Sequence, residues 1–459
     1  MTNESIWGKY SEKQLKKLEK FAASYRNFLD NGKTERECVS QIVNRIEDEG
    51  YVELAKLIKS GKKLSAGDKV YAVNMDKSVV MFNIGEAPLE EGMNILGAHI
   101  DSPRMDVKQN PLYEDSDFAY LDTHYYGGIK KYQWVAIPLA LHGVVVKTDG
   151  TTVIVNIGEE EDDPVFFISD LLIHLAQEQM EKKANKVIEG EALDVIIGNK
   201  PLKDAEKDKV KAGILAILKE QYGIEEKDFV SAEIEVVPAG KARDAGFDRS
   251  MTLAYGQDDR VCSYSSLEAM LSVKKPVRTA CCLLVDKEEI GSVGATGMQS
   301  KFFENMVAEV LELTVGYNDL ILRRTLANSR MLSSDVSSAY DPTYASSFDK
   351  KNVAYLGRGM VFNKFTGSRG KSGSNDANAE YLAFIRKVMD DAEVSFQTAE
   401  LGKVDLGGGG TIAYILSLYG MNVIDCGVAV LNMHAPFEAT SKADLFETYR
   451  GYMAFLEAK

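Results

Sequence analysis

Cysteine and histidine are both sparse in this 459-residue chain, with five of each. Cys38, Cys262, Cys281, Cys282 and Cys426 form no C-x-x-C pair, and the adjacent Cys281 and Cys282 fall inside an apolar run. This speaks against sulfur-bound zinc and against a disulfide framework, and predicts buried free thiols in a reducing cytoplasm. No stretch approaches the roughly 18 uninterrupted apolar residues of a membrane-spanning helix. The start, MTNESIWGKYSEKQLKK, has no apolar segment after a basic cluster, so neither a secretion signal nor a membrane span is expected. Positive charge is in deficit as well. With 54 lysines and arginines against 69 acidic residues the net charge is −15, which excludes a nucleic-acid backbone as a natural partner. A phosphate-binding loop is also missing: Gly370-Lys371-Ser372 resembles the end of one, but Phe365 stands where its first glycine belongs.

What is present is a globular composition, 45% hydrophobic and 27% charged, on a chain longer than one usual core. Two domains, or one domain carrying a large insertion, follow from that length. Leu15, Leu18, Phe21, Tyr25 and Phe28 recur at helical spacing over residues 11–31, and a second helical pattern covers 35–58 with Gly50 as a break. Short alternating runs between Gly67 and Ile84 predict strands. From about 108 to 248 the texture changes to many short β-like runs, turn signals at Gly127-Gly128 and Asp149-Gly150, and a charged helical segment over 204–221. This region is expected to be an inserted domain with its own sheet, serving assembly or access; a catalytic domain is expected from 1–107 and 249–459. Within the insertion, His124 and His142 suit structural roles, and FFISDLLIHLAQEQM predicts a helix with Ile168, Leu171, Leu172 and Leu175 as its apolar stripe and His174 upon it.

The chemistry gathers where apolar runs end. Thr279 to Val285 reads as a buried strand that runs directly into Glu288 and Glu289. Asn94-Ile-Leu-Gly-Ala-His-Ile-Asp101 is a strand whose polar residues arrive only at its end, and the i, i+2 spacing puts His99 and Asp101 on one face. Asp258 and Asp259 open a helical pattern, where aligned amides favour negative charge. Asp335 follows another apolar run, and His434 ends the strand-like run from Met421. Carboxyl ends of strands are where ligands bind in open α/β sheets. His99, Asp258, Glu289, Asp335 and His434 are a donor set for paired divalent cations, two zinc ions first, with cobalt or manganese accepted by the same donors. Glu288 is left over as a base and Asp101 as a support for His99. The run Gly407-Gly-Gly-Gly-Thr411, with Gly408 inside it, reads either as exposed amides facing a substrate or as a packing turn.

The ordered motifs GAHIDSPRMDVK, GQDDR, DKEEIGS, SSDVSSAYDPTY and NMHAPFE resemble the aspartyl aminopeptidase and vacuolar aminopeptidase I family of dinuclear metallopeptidases, over essentially the whole chain. The resemblance implies an α/β fold, a mixed sheet flanked by helices and interrupted by a β-rich dimerisation domain. It implies that His99, Asp258 and Asp335 hold one metal and Asp258, Glu289 and His434 the other, with Glu288 as general base and Asp101 supporting His99. It also implies peptide substrates and self-association into a large homo-oligomer, a tetrahedral dodecamer, with His174 reaching a neighbouring subunit's site. The motifs depart from the acid-selective pattern at Asp341 and Phe437, where basic residues are usual, while Lys364, Arg369 and Lys371 lie in a following loop. A bacterial-type member with broad or neutral-to-apolar preference is expected. The alternatives are a related dinuclear carboxypeptidase or deacylase, and a non-catalytic shell.

Overall fold

The computed structural model describes residues 4–459. Its contacts divide the chain into two units, one made of Met1–Asp101, Ala242–Met433 and Glu438–Lys459, the other of Ser102–Lys241 with His434–Phe437. Both boundaries fall earlier in the chain than the texture change at 108 and 248: the strand Arg104–Asp115 is continuous and belongs wholly to the second unit, and the chain returns to the first unit at Ala242.

The first unit is built on a nine-stranded mixed sheet. At its centre Asn94–His99 pairs in parallel with Ala280–Val285 on one side and Arg330–Ser334 on the other, and Asn422–Gly427 extends the parallel set. Antiparallel partners, Ser78–Asn83 and Met360–Asn363, follow outward on the two sides. Both faces are covered, and the pleat sorts the side chains accordingly. Cys282, Leu284, Leu96 and Ala98 join a cluster with Tyr25, Tyr264, Leu267 and Phe455, while Cys281, Leu283, Val285 and Ile95 join a second with Val307, Leu311 and Leu326. All five cysteines are buried free thiols.

The opening helices form as their periodicity predicts, Glu12–Asp30 and Glu35–Asp48, each started by a capping box in which Ser11 pairs with Gln14 and Thr34 with Glu37. Gly50, in the left-handed region at φ +86°, ends the second pattern before the short helix Leu54–Ser60. Glu12–Asp30 and the terminal helix Lys442–Glu457 pack with Gln257–Ser272, the helix that carries Asp258. That last helix is gripped at its start. Arg260, 1% exposed, donates through Nε to the Ile100 carbonyl and through an Nη to the Lys33 carbonyl.

The second unit has a six-stranded antiparallel sheet ordered Thr152–Ile157, Leu139–Val146, Ala232–Pro238, Arg104–Asp115, Phe118–Tyr126 and Val195–Gly198. The helix expected around His174 does not form. Phe166 and Phe167 make extended bridges, and only a 3₁₀ turn, Ile173–Leu175, and one α turn, Gln177–Met180, follow. The intended stripe has nothing in this unit to cover it: Leu171, Leu172 and Leu175 are 48–68% exposed, and only Ile168 is buried. The charged helical segment is shorter than expected, Lys209–Ile217, and continues as a π turn, Leu218–Tyr222. Among the described residues no helix is long and apolar enough to cross a membrane.

Because Arg260 carries its charge into the core and satisfies two buried carbonyls, Arg260→Ala should lower stability by about 2–4 kcal/mol. Urea denaturation would register this as a lower midpoint, and an unchanged midpoint would contradict the role given to the guanidinium.

Candidate metal centre

Three neighbouring parallel strands end together. Val285 sits opposite His99 in the register, and Ser333 opposite Gly97, so the residues that follow emerge at one edge. This edge brings together His99, Glu288, Glu289 and Asp335, and the start of Gln257–Ser272 adds Asp258. Asp258 and Asp259 lie within that helix but depart from helical angles, and the peptide bond between them is cis. Gln257, fully buried, anchors the turn: its amide nitrogen donates to the carbonyls of Thr252 and Glu438, and its oxygen accepts from Thr440 and Tyr25. The Glu438 carboxylate accepts from the Asp258 amide at 2.9 Å.

His99 is buried, and Asp101 orients it. Nδ1 lies 3.1 Å from the Asp101 carbonyl and 3.2 Å from its carboxylate, while the two carboxylate oxygens accept the amides of Glu288 and Glu289, each at 3.1 Å. One aspartate therefore fixes the imidazole and the Glu-Glu turn together. Ser263 holds the same strand end by donating to the His99 carbonyl at 2.7 Å. On the other side of the ring, Nε2 makes no hydrogen bond among the described residues. It faces oxygens of Asp258 at 3.3 Å, Asp335 at 3.7 Å and Glu288 at 4.0 Å.

Those separations are a test of fit for a cation. Donors around one tetrahedral zinc, with bonds of about 2.0–2.2 Å, lie about 3.3–3.6 Å apart. His99, Asp258 and Asp335 offer donor atoms within 4.8 Å of one another, as do His99, Glu288 and Glu289. An imidazole nitrogen and two carboxylates are the donor chemistry zinc accepts. The residues present fit the group.

The electrostatics of the cluster without cations point the same way. Burial pushes the His99 pKa down, but Asp101, Asp258 and Asp335 outweigh it and raise it well above the usual value. Burial, then Asp335, raises Glu288 to about 8. Asp335 is raised by burial against the relief given by His99. Asp259 is fully buried and is raised well above the ordinary carboxylate range by burial and by Asp335. Carboxylates gathered this closely need protons or cations among them.

The remaining expected residues are placed as follows. His434 belongs to the second unit by its contacts, with a positive φ of 64° and its Nδ1 2.8 Å from the Gly128 carbonyl. His174 is exposed in its 3₁₀ turn. His142 is buried beside Glu159, and His124 bonds the Tyr125 carbonyl. Gly408 is a close-packing position: a Cβ there would lie 1.9 Å from the Gly367 carbonyl, and Gly367 donates to Gly409 at 2.8 Å. Lys364 is paired with Asp376, which Lys371 also contacts at 2.9 Å. Gln257, Arg260, Ser263, Asp259 and Glu438 were not legible as site residues. Asp259, Gln257 and Arg260 stand inside GQDDR and Glu438 closes NMHAPFE, but only the fold gives each its partner.

Comparison with known proteins places these residues in context. A family model described as aminopeptidase I zinc metalloprotease (M18) matches residues 28–456. A probable M18 family aminopeptidase 1 of Clostridium acetobutylicum is 62% identical over 98% of this chain and 97% of its own length. The crystal structure of an M18 family aminopeptidase from Thermotoga maritima superposes with a TM-score of 0.94 at 45% identity, covering 100% of this chain and 99% of that one. Aminopeptidase I from Clostridium acetobutylicum gives 0.92 at 60% identity, with both chains fully covered. A distant fold relative, Saccharomyces cerevisiae mApe1, was solved as a dodecamer; it gives 0.76 at 19% identity over 95% of this chain and 96% of its own.

Three buried carboxyls and the half-buried Glu288 define a pH dependence of the metal-free chain. Burial raises Asp286, Asp425 and Asp444 to about 7 and Glu288 to about 8. An acid whose folded pKa exceeds its unfolded one binds its proton more tightly when folded, so its contribution is complete below the unfolded value and is lost as pH rises through the folded one. The unfolding midpoint of metal-free protein should therefore fall between about pH 5 and pH 8, and fall less in metal-loaded protein, where cations would compensate the carboxylates around Glu288. Thermal unfolding across that range checks it; a metal-free midpoint that rises towards pH 8 would contradict it.

Proposed function

The chain belongs to the M18 family of aminopeptidase I zinc metalloproteases and is an aminopeptidase of that family; we propose that it works through two divalent cations held at the strand-end cluster, with Glu288 as its general base. The observation that carries this reading is the His99 Nε2, buried, without a hydrogen bond among the described residues, and facing carboxylate oxygens of Asp258 and Asp335 at 3.3 and 3.7 Å. His99, Asp258 and Asp335 would hold one cation, and Asp258 and Glu289 would contribute to the second, to which the motif resemblance assigns His434 as well. Zinc is the expected metal, and cobalt or manganese suit the same donors. When bound, the cations supply Lewis acidity, polarising the scissile carbonyl and acidifying the attacking water.

The protein's own groups then manage the proton. Glu288 is partly exposed, its side chain 14% accessible, and holds one oxygen 4.0 Å from His99 Nε2. Cations held among the neighbouring carboxylates would relieve the repulsion that raises Glu288 and so favour its ionised form. It takes a proton from the water and returns it to the leaving amine. Asp101 contributes by orientation, since it fixes both the His99 ring and the Glu288 backbone.

The substrate is a peptide with a free N-terminus, and we assign a broad or neutral-to-apolar preference for the first residue. Selecting an acidic side chain needs an available cation. Lys364 and Lys371 converge on the single carboxylate of Asp376, which offsets part of their charge, and Asp341 adds a negative one. Arg369 is the counterweight: it is exposed and makes no ion pair among the described residues. The buried thiols support a cytoplasmic setting. The uncovered apolar residues around His174 support self-association into a large homo-oligomer, a dodecamer on the pattern of the fold relative, with His174 offered to a neighbour.

A substrate panel tests this. Leucyl and methionyl amides should be cleaved with higher kcat/KM than aspartyl amides under one metal and one pH, and acetylating the N-terminus of a peptide should abolish cleavage. A tenfold advantage for aspartyl would make Arg369 and its neighbours the determinants of the pocket, and cleavage of blocked peptides would contradict the aminopeptidase reading.

A further inference from the structure

The second unit contains an apolar cavity of about 220 Å³ between one face of its sheet and the segment running from Lys209 to Tyr222. Leu141, Val155 and Ile234 line it from the strands, Phe166 from its extended bridge, Phe229 from a 3₁₀ turn, and Ile217 from the helix.

The local geometry explains why it is there. The helix sits close to the sheet at its start. The Glu114 carboxylate accepts from the amides of Val210 and Lys211 at 2.8 and 2.9 Å, and Val210 is buried. Gly198 permits the approach, since a Cβ there would lie 2.6 Å from Ile214 Cδ1. Further along the helix Ile217 is 47% exposed, and the chain widens into the π turn Leu218–Tyr222, closed by the left-handed Gly223. Lys147 donates to the Gly223 carbonyl and pins that end. Both ends of the segment are thus tied, and an apolar space lies between its second half and the sheet.

Protein interiors are otherwise packed like organic crystals. A dry cavity of about 150 Å³ lined by aliphatic side chains takes up benzene, and water does not fill such a space because it finds too few polar partners. This cavity is larger and has the same kind of lining. Its polar equipment is confined to Gln221 and Tyr222, both brought to the rim by the π turn. Neither side chain makes a hydrogen bond among the described residues. We propose that the cavity is a binding site for a small flat apolar molecule bearing one hydrogen-bonding group, separate from the peptidase chemistry, with the apolar body under the helix and the polar group at Gln221 and Tyr222.

Indole is the probe, titrated calorimetrically into the full chain and into two variants. The unmodified protein should bind one indole per chain saturably. Ile217→Trp, made at an exposed rim position so that the core is untouched, should cover the entrance and weaken binding at least tenfold. Gln221→Leu should weaken it several-fold without changing the unfolding midpoint. Absence of saturable binding to the unmodified protein would overturn the proposal. So would equal binding by Ile217→Trp with its unfolding midpoint unchanged. If Ile217→Trp is misfolded, Gln221→Leu decides alone, and undiminished binding by it overturns the assignment of the polar end. An indole-dependent change in particle mass without saturable binding would make the cavity a seat for a second copy of the chain and would equally overturn it.

Discussion

Too many carboxylates surround one buried imidazole, and the rest of the first unit is arranged around that repulsion. Asp258, Asp335 and Glu288 all approach the same nitrogen of His99, Asp101 takes the other, and Asp259 is buried alongside. Two like charges about 4 Å apart cost about 4 kcal/mol at an effective dielectric constant near 20. Several such pairs in one site would strain any fold of ordinary stability, so protons or cations must be part of it. The supporting structure holds the ligands in spite of the cost. Parallel strands fix the relative heights of His99, Glu288 and Asp335, Asp101 collects two amides and a ring nitrogen, and Arg260 brings a compensating charge into the core.

Much of this arrangement could be read from the chain because periodicity and strand ends are local properties. The run Thr279 to Val285 is apolar throughout because both faces of its strand are buried, and that same feature marks where the sheet stops and Glu288 begins. His99 and Asp101 share a face by simple alternation. The roles of Gln257 and Glu438 could not be read in this way, since each depends on a partner about 180 positions distant. Asp259 looked like half of a capping pair, which is what two aspartates at a helix start usually are; its departure from helical angles is imposed by tertiary contacts.

The failures in the second unit have a common cause. Residues 166–180 have helical spacing and helical composition, yet a stripe forms a helix only when there is a surface to bury it. Among the described residues of this unit Leu171, Leu172 and Leu175 find none, and the segment stays extended with isolated turns. Periodicity reports what a segment would bury and is silent about where the covering surface lies, including whether it belongs to the same chain. The glycines at 407 and 408 carry a related lesson. Their closest neighbours are backbone carbonyls of Leu401 and Gly367, so packing already accounts for them.

The central claim is that the cluster separates holding the metals from moving the proton, with Glu288 alone assigned to the proton. Glu288→Gln keeps the size of the side chain and removes its basicity, so metal content and turnover should part company. Elemental analysis of the purified variant beside its kcat on a leucyl amide is the most direct measurement. The account predicts two metal ions per chain, as in the unmodified protein, with kcat reduced by a factor on the order of 10² to 10⁴. Near-normal kcat, or loss of metal in step with loss of activity, would contradict it.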